Sequence, residues 1–314
     1  MFKKYLRIQP APVQLVIMLA FWSLLFLLGA FAMMRYISIA AGISSEHLDS
    51  FMQGDMYNHP NVIFISQAIF QITTFLLPAL LYAYLADPQP GAYLGLKKPE
   101  KPIQIVLAVF LGIFLIFFVA PLGSWLKDLN LGTASKELDE QREKFINTYL
   151  SSGNTLATIR NIMLIAVVPA FCEEFFFRGL LMKFAHSFVP KWWFSIGVSA
   201  LAFAVFHTSI SEFVPIFISG VILGIVYYLT SSIWLSVLLH LVVNGVQALA
   251  SIYSNPALDK SLENNQTVII LFIIATSLVA TTLFFLFKSR TILPRNWSVH
   301  IPEGKEGQWD MNNI

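Results

Sequence analysis

Eight runs of apolar residues, each close to the length that crosses a bilayer, constrain this chain more than any other feature. They are Val13–Met34, Asn61–Leu85, Ile103–Leu126, Leu156–Met182, Trp192–His207, Phe213–Thr230, Trp234–Ala250 and Val268–Phe287. A helix needs about 20 residues to span the hydrocarbon. Lipid offers no partner to backbone N–H and C=O groups, so such segments must be helices. The runs are continuously apolar and do not alternate, which excludes a transmembrane barrel. Trp192–His207 and Trp234–Ala250 are short and span only with little tilt or with shielding by neighbours. The expected fold is therefore an all-α, polytopic transmembrane bundle of about eight spans.

Composition agrees. Of the 314 residues, 56% are hydrophobic and 12% charged, against about 25% charged in a soluble domain. The net charge of +2 provides no basic field suited to nucleic acid. The single cysteine, Cys172, cannot form an intrachain disulfide. No polar linker divides the chain. It reads as one transmembrane domain over 1–287, with a motif-bearing core at 156–250, followed by a polar tail at 288–314. Lys3, Lys4 and Arg7 precede the first run, which exceeds the ~7–15 residue apolar core of a signal peptide and suits an uncleaved span.

Lysine and arginine in the loops set an expected orientation. The N-terminal segment, the second and fourth loops (Lys97, Lys98, Lys101; Lys183, Lys191) and the tail (Lys288, Arg290, Arg295, Lys305) are rich in them. The first, fifth and seventh loops are poor. Alternation then places both termini in the cytoplasm. The third loop disagrees, because Lys127, Lys136, Arg142 and Lys144 fall on the predicted outer side. In that loop Leu138, Phe145, Ile146, Tyr149 and Leu150 recur at helical spacing, as in a solvated helix packed on the domain or an interfacial helix.

Polar groups inside the apolar runs carry the candidate chemistry. Glu173, Glu174 and Arg178 lie within the fourth run, where each ionised side chain costs about 2.5–3.5 kcal/mol on the insertion scale unless paired or wet. Glu174 and Arg178 are four apart and can pair on one face. Glu173 is offset by about 100° and needs another reason to be there. A buried carboxyl can serve as a general base. Phe203 and His207 share a face of the fifth run, and His240 and Asn244 a face of the seventh; an interhelical hydrogen bond is the plain alternative for the last pair. Counted inward at about 1.5 Å per residue from Lys183, Trp192 and Ile233, Glu173 lies about 15 Å deep, Asn244 about 16 Å, His240 about 10 Å and His207 about 22 Å. These groups from three helices thus share a central layer. A nucleophilic role for Cys172 lacks a neighbouring histidine, and buried thiols are usually inert. Ser199, in Gly197-Val198-Ser199-Ala200, matches a serine intramembrane protease only in fragments. A proton-coupled transporter would show paired, broken helices in two matching halves, and no repeat is evident.

The ordered set Glu173-Glu174-x-x-x-Arg178, Phe203-x-x-x-His207 and His240-x-x-x-Asn244 resembles the CAAX protease and bacteriocin-processing family of intramembrane peptidases, which includes type II CAAX prenyl endopeptidases. The resemblance covers about Leu156–Ala250. It implies hydrolysis of a peptide bond in a membrane-associated protein or peptide, prenylated or not, by a glutamate-activated water. Glu173 then looks like the general base and His207 its partner in holding the water. His240 and Asn244 look like oxyanion donors. Glu174 and Arg178 look structural or substrate-orienting, and Phe203 packs the site. The expected site opens toward the cytoplasmic half of the bilayer, and the family's distribution suggests a bacterial inner membrane. A metal such as zinc, held by Glu173, His207 and His240 with water in the fourth position, is the competing arrangement; metal-free chemistry is preferred, since no His-Glu-x-x-His motif occurs. The rival to an enzyme is a non-catalytic member of the same family, acting in bacteriocin immunity or as a binding scaffold.

Overall fold

A computed structural model of the chain describes residues 9–53, 58–87, 89–129, 155–253 and 264–291, together with Leu6, Leu293 and isolated positions between 132 and 144. Each of the eight apolar runs is a helix. We label them α1 (Ala11–Ala41), α2 (Pro60–Ala86), α3 (Pro102–Asp128), α4 (Thr155–Phe188), α5 (Trp192–Phe206), α6 (Phe213–Thr230), α7 (Ile233–Ile252) and α8 (Asn265–Lys288). All but α5 are long and apolar enough to cross a membrane. The 15 residues of α5 reach only about 22 Å at the α-helical rise. The third-loop positions Leu138, Phe145, Ile146, Tyr149 and Leu150, and the tail beyond Leu293, lie outside the described residues.

The chain punctuates these helices in ordinary ways. Proline stands in the first turn of α1, α2 and α3, where its missing N–H costs nothing. Gly42 ends α1 at φ 68°, the left-handed conformation that glycine adopts freely. Asn264 caps α8, its side chain accepting from the Gln266 and Thr267 amides. The lipid-facing surfaces of α1 and α8 stay apolar and exposed, with Leu27, Phe31, Ile270 and Ile273 among the most open side chains. The core lies between α2, α3, α4, α6 and α7, around Tyr82, Leu111, Leu115, Phe177, Leu180, Tyr227 and Leu239.

Among the described residues, three π-helical turns interrupt this regularity: Ile72–Leu76 in α2, and Met163–Val167 and Phe177–Leu181 in α4. A π turn inserts a residue into the i→i+4 ladder and rotates the remainder of the helix by about 100°. It also loosens carbonyls, which side chains from other helices then take up. Asn244 of α7 donates to Ile165 O at 3.3 Å, and Ser199 of α5 donates to Phe177 O at 2.8 Å. Against the α2 turn, α1 comes so close that a Cβ on Gly29 would lie 1.9 Å from Thr73 Oγ1.

The two ends of the bundle are built differently. At the end where α1 begins and α8 finishes, Lys183 is buried, donates to Tyr93 O and lies 3.7 Å above the Tyr93 ring. There the segment after α8 is tied down: Thr291 N donates to Leu229 O at 2.7 Å and Gln104 Nε2 to Ser289 O at 2.9 Å. On the same rim, Lys97 Nζ donates to Glu100 at 2.5 Å, and hydrogen bonds from Lys97 and then Thr291 hold the Glu100 carboxyl below its usual range. At the opposite end, Asp139 accepts from Ser209 (3.0 Å) and Ser211 (2.7 Å), and Lys127 stands 3.8 Å from Glu212. A cavity opens at this second end.

Candidate active site

Glu173 and Glu174 are adjacent in α4, just before its second π turn, and point to different partners. Glu174 is fully buried. Its Oε1 accepts from Arg178 Nη1 at 2.7 Å and stands 3.0 Å from His240 Nδ1. Arg178, also fully buried, donates from Nη2 to Gly220 O at 3.0 Å. That contact needs α6 close to α5: a Cβ on Gly220 would lie 3.1 Å from Ala200 Cα. The guanidinium stacks over Phe203 at 4.7 Å. The Phe203 ring also meets His207 (centroids 4.6 Å) and, edge-on, His240 (5.7 Å). Phe203 is thus an apolar partition between the Arg178 guanidinium and His207.

Glu173 faces the other way. Its Oε1 accepts from Gln71 Nε2 of α2 at 3.1 Å. Its Oε2 is buried without a hydrogen bond and lies 3.9 Å from His240 Nε2, beyond hydrogen-bond range. Glu173, Gln71, His207, Thr208 and Asn244 all line one cavity of about 1400 Å³. Its inner wall is largely apolar, with Phe26, Phe70, Phe75, Ile116, Val205 and Phe206, and its outer rim carries Lys127, Asp139, Glu212 and Ser251.

His207 closes α5, and the chain then turns sharply through Thr208, held at φ 52°. That is a strained conformation for a β-branched residue. The His207 Nδ1 lies 2.8 Å from Phe203 O. A carbonyl only accepts, so Nδ1 carries the proton, and in the neutral ring Nε2 is the acceptor. The same reasoning applied to His240 puts a proton on Nδ1, facing the Glu174 carboxylate. His240 is therefore tied into the buried pair and is not among the cavity-lining residues. Of the two expected oxyanion donors, only Asn244 reaches the cavity wall; one of its amide hydrogens serves Ile165 O and the other is left for a ligand.

Zinc in this site would need Glu173, His207 and His240 together. Among the described residues, no three side chains of His, Cys, Asp or Glu stand where they could hold one metal ion. Cys172 is buried and does not line the cavity, and Ser199 is committed to Phe177 O.

The cavity rim also bears on sidedness. Lys127, Glu212 and Ser251 lie at the helix ends opposite Lys183, Trp192 and Ile233. The start of α1 and the end of α8 thus lie at the end of the bundle opposite the cavity mouth. Cytoplasmic termini and a site opening to the cytoplasmic half exclude each other.

A comparison with known families agrees with the motif reading. The model of the family described as type II CAAX prenyl endopeptidase Rce1-like matches residues 155–246. Over that segment the chain is similar to this family. The match covers less than half of the chain and contains Glu173, Glu174, Arg178, Phe203, His207, His240 and Asn244. No curated protein and no solved structure matches the chain. The apolar helices make the protein an integral, multi-pass membrane protein, and Gln71 lies outside the matched segment.

Proposed function

We propose that this protein is an intramembrane endopeptidase that hydrolyses a peptide bond of a membrane-associated protein or peptide, with Glu173 activating the water. One observation carries this reading. Of two adjacent buried glutamates, Glu174 is paired with Arg178 and His240 away from the cavity, whereas Glu173 has no arginine or lysine partner among the described residues and stands on the cavity wall.

The chemistry comes from the donors and acceptors in reach. Glu173 Oε2 takes a proton from the water. His207, with Nδ1–H committed to Phe203 O, accepts the other water hydrogen at Nε2 and fixes its orientation. The oxygen attacks the scissile carbonyl, and the Asn244 amide stabilises the oxyanion as charge develops. Glu173 then returns its proton to the leaving amine, and the C–N bond breaks. Glu174, Arg178 and His240 keep this wall rigid. The apolar inner wall suits a lipid-modified or strongly apolar substrate segment, prenylated CAAX peptides included, and the polar rim suits the peptide attached to it.

The test is cleavage by purified protein in detergent or liposomes, with prenylated and unmodified peptides, with and without a chelator. Wild type is expected to cleave in both conditions, and Glu173→Gln and His207→Ala to lose activity by about 10²–10⁴-fold while remaining folded. Retained cleavage in both variants overturns the site. Loss of wild-type activity on chelation overturns the metal-free mechanism. A folded wild type that cleaves none of the peptides favours a binding or immunity role.

A further inference from the structure

Among the described residues, Gln71 is the one hydrogen-bond donor to the Glu173 side chain, and it comes from outside the family-matched segment. It sits in α2 immediately before the π turn Ile72–Leu76, and its Nε2 donates to Glu173 Oε1 at 3.1 Å across 102 positions of sequence. A carboxylate oxygen only accepts, so the amide nitrogen must face it and the amide oxygen must turn away. That amide oxygen is itself buried without a hydrogen bond. A residue serving packing alone would not be chosen this way. Methionine or leucine would fill the same space and leave no unpaired acceptor. Gln71 also lines the same cavity as Glu173, His207 and Asn244.

We infer that Gln71 is a positioning residue of the proposed reaction. It occupies Glu173 Oε1 and fixes the carboxylate plane, so that Oε2 is the oxygen left to take the water's proton. Phe75, four residues on and so on the same face of α2, packs against Phe176 and Phe177 of α4 at centroid distances of 5.5 and 5.4 Å, which holds this face of α2 against α4. The inference rests on Glu173 being the base.

Three variants test it: Gln71→Met, Gln71→Glu, and the exchange Gln71→Glu with Glu173→Gln. Turnover and thermal unfolding are measured for each. Gln71→Met keeps the shape and removes the donor. Its kcat is expected to fall about 10–100-fold, the scale of a misplaced catalytic group, with KM nearly unchanged and the melting temperature no lower than wild type. A purely structural role would instead lower the melting temperature and leave kcat intact, and that result overturns the inference. Gln71→Glu opposes two acceptors and is expected to melt lower. The exchange restores one donor and one acceptor across the same contact and is expected to melt near wild type, without recovering activity. An exchange no more stable than Gln71→Glu shows that the contact does not hold Glu173, and the inference falls. If folded wild type cleaves nothing, the peptidase reading fails, and the exchange alone decides whether Gln71 holds Glu173.

Discussion

The two faces of α4 at Glu173 and Glu174 set a closed polar cluster against an open one. On the closed face, Glu174, Arg178, His240 and the Gly220 carbonyl bond one another within 3.0 Å contacts away from the cavity, beside Phe203, although Glu174 Oε2 and Arg178 Nε stay unbonded. On the open face, Glu173 and Gln71 each keep one buried atom unpartnered beside a cavity. Both faces hold expensive groups in an apolar bundle. The closed face offsets that cost by setting a guanidinium against its carboxylate. Among the described residues, the open face has only the Gln71 amide and the cavity beside its carboxylate, the setting in which a reacting group is used. The lesson is that adjacent identical residues separate by what they are left to do.

That contrast can be broken most strongly at Arg178. Replacing it with leucine leaves the Glu174 carboxylate facing only His240. Loss of one partner from a buried pair costs about 3–5 kcal/mol, so Arg178→Leu is expected to unfold at markedly lower denaturant or temperature. Restoring charge balance in Arg178→Leu/Glu174→Leu should recover much of that loss. A variant Arg178→Leu as stable as wild type would dissolve the closed face as a structural unit.

Asn244 sharpens the open side. Asn244→Ala removes the proposed oxyanion donor, and such a donor is worth about 10²–10³-fold in kcat. KM and melting temperature are expected to move little, because the lost bond to Ile165 O is long at 3.3 Å. A rise in KM with kcat intact would assign Asn244 to substrate binding instead.

The third prediction changes neither activity nor stability. Single cysteines at Ser251 and Ser289, placed in a Cys172→Ala background, are expected to react with a membrane-impermeant maleimide from opposite faces of sealed vesicles. Labelling from one face would contradict the separation of the mouth from the end of α8.

Much of this was legible from residues alone. The apolar runs located all eight helices within a few residues, because lipid permits no other solution. The cost of charge in lipid pointed to Glu173, Glu174 and Arg178, and helical spacing paired the last two correctly. Register and neutral polarity account for the features that could not be read. The π turns leave no mark in an apolar pattern, yet those in α4 offer the Ile165 carbonyl to Asn244 and the Phe177 carbonyl to Ser199. Gln71 carries no charge and belongs to no motif, so nothing marked it. Spacing placed His240 and Asn244 on one helix face, but could not tell that the first bonds Glu174 while the second reaches the cavity. Loop charge likewise gives no direction to a cavity, and the mouth at Lys127, Asp139 and Glu212 emerged only from the packed helices.

The central claim is the division of labour between the two glutamates, and one paired measurement tests it. Turnover and melting temperature are recorded for purified Glu173→Gln and Glu174→Gln beside wild type. The account predicts that Glu173→Gln loses cleavage and keeps its stability, whereas Glu174→Gln melts lower because Arg178 loses its countercharge. The reverse pattern, with a stable but inactive Glu174→Gln and a cleaving Glu173→Gln, would contradict it.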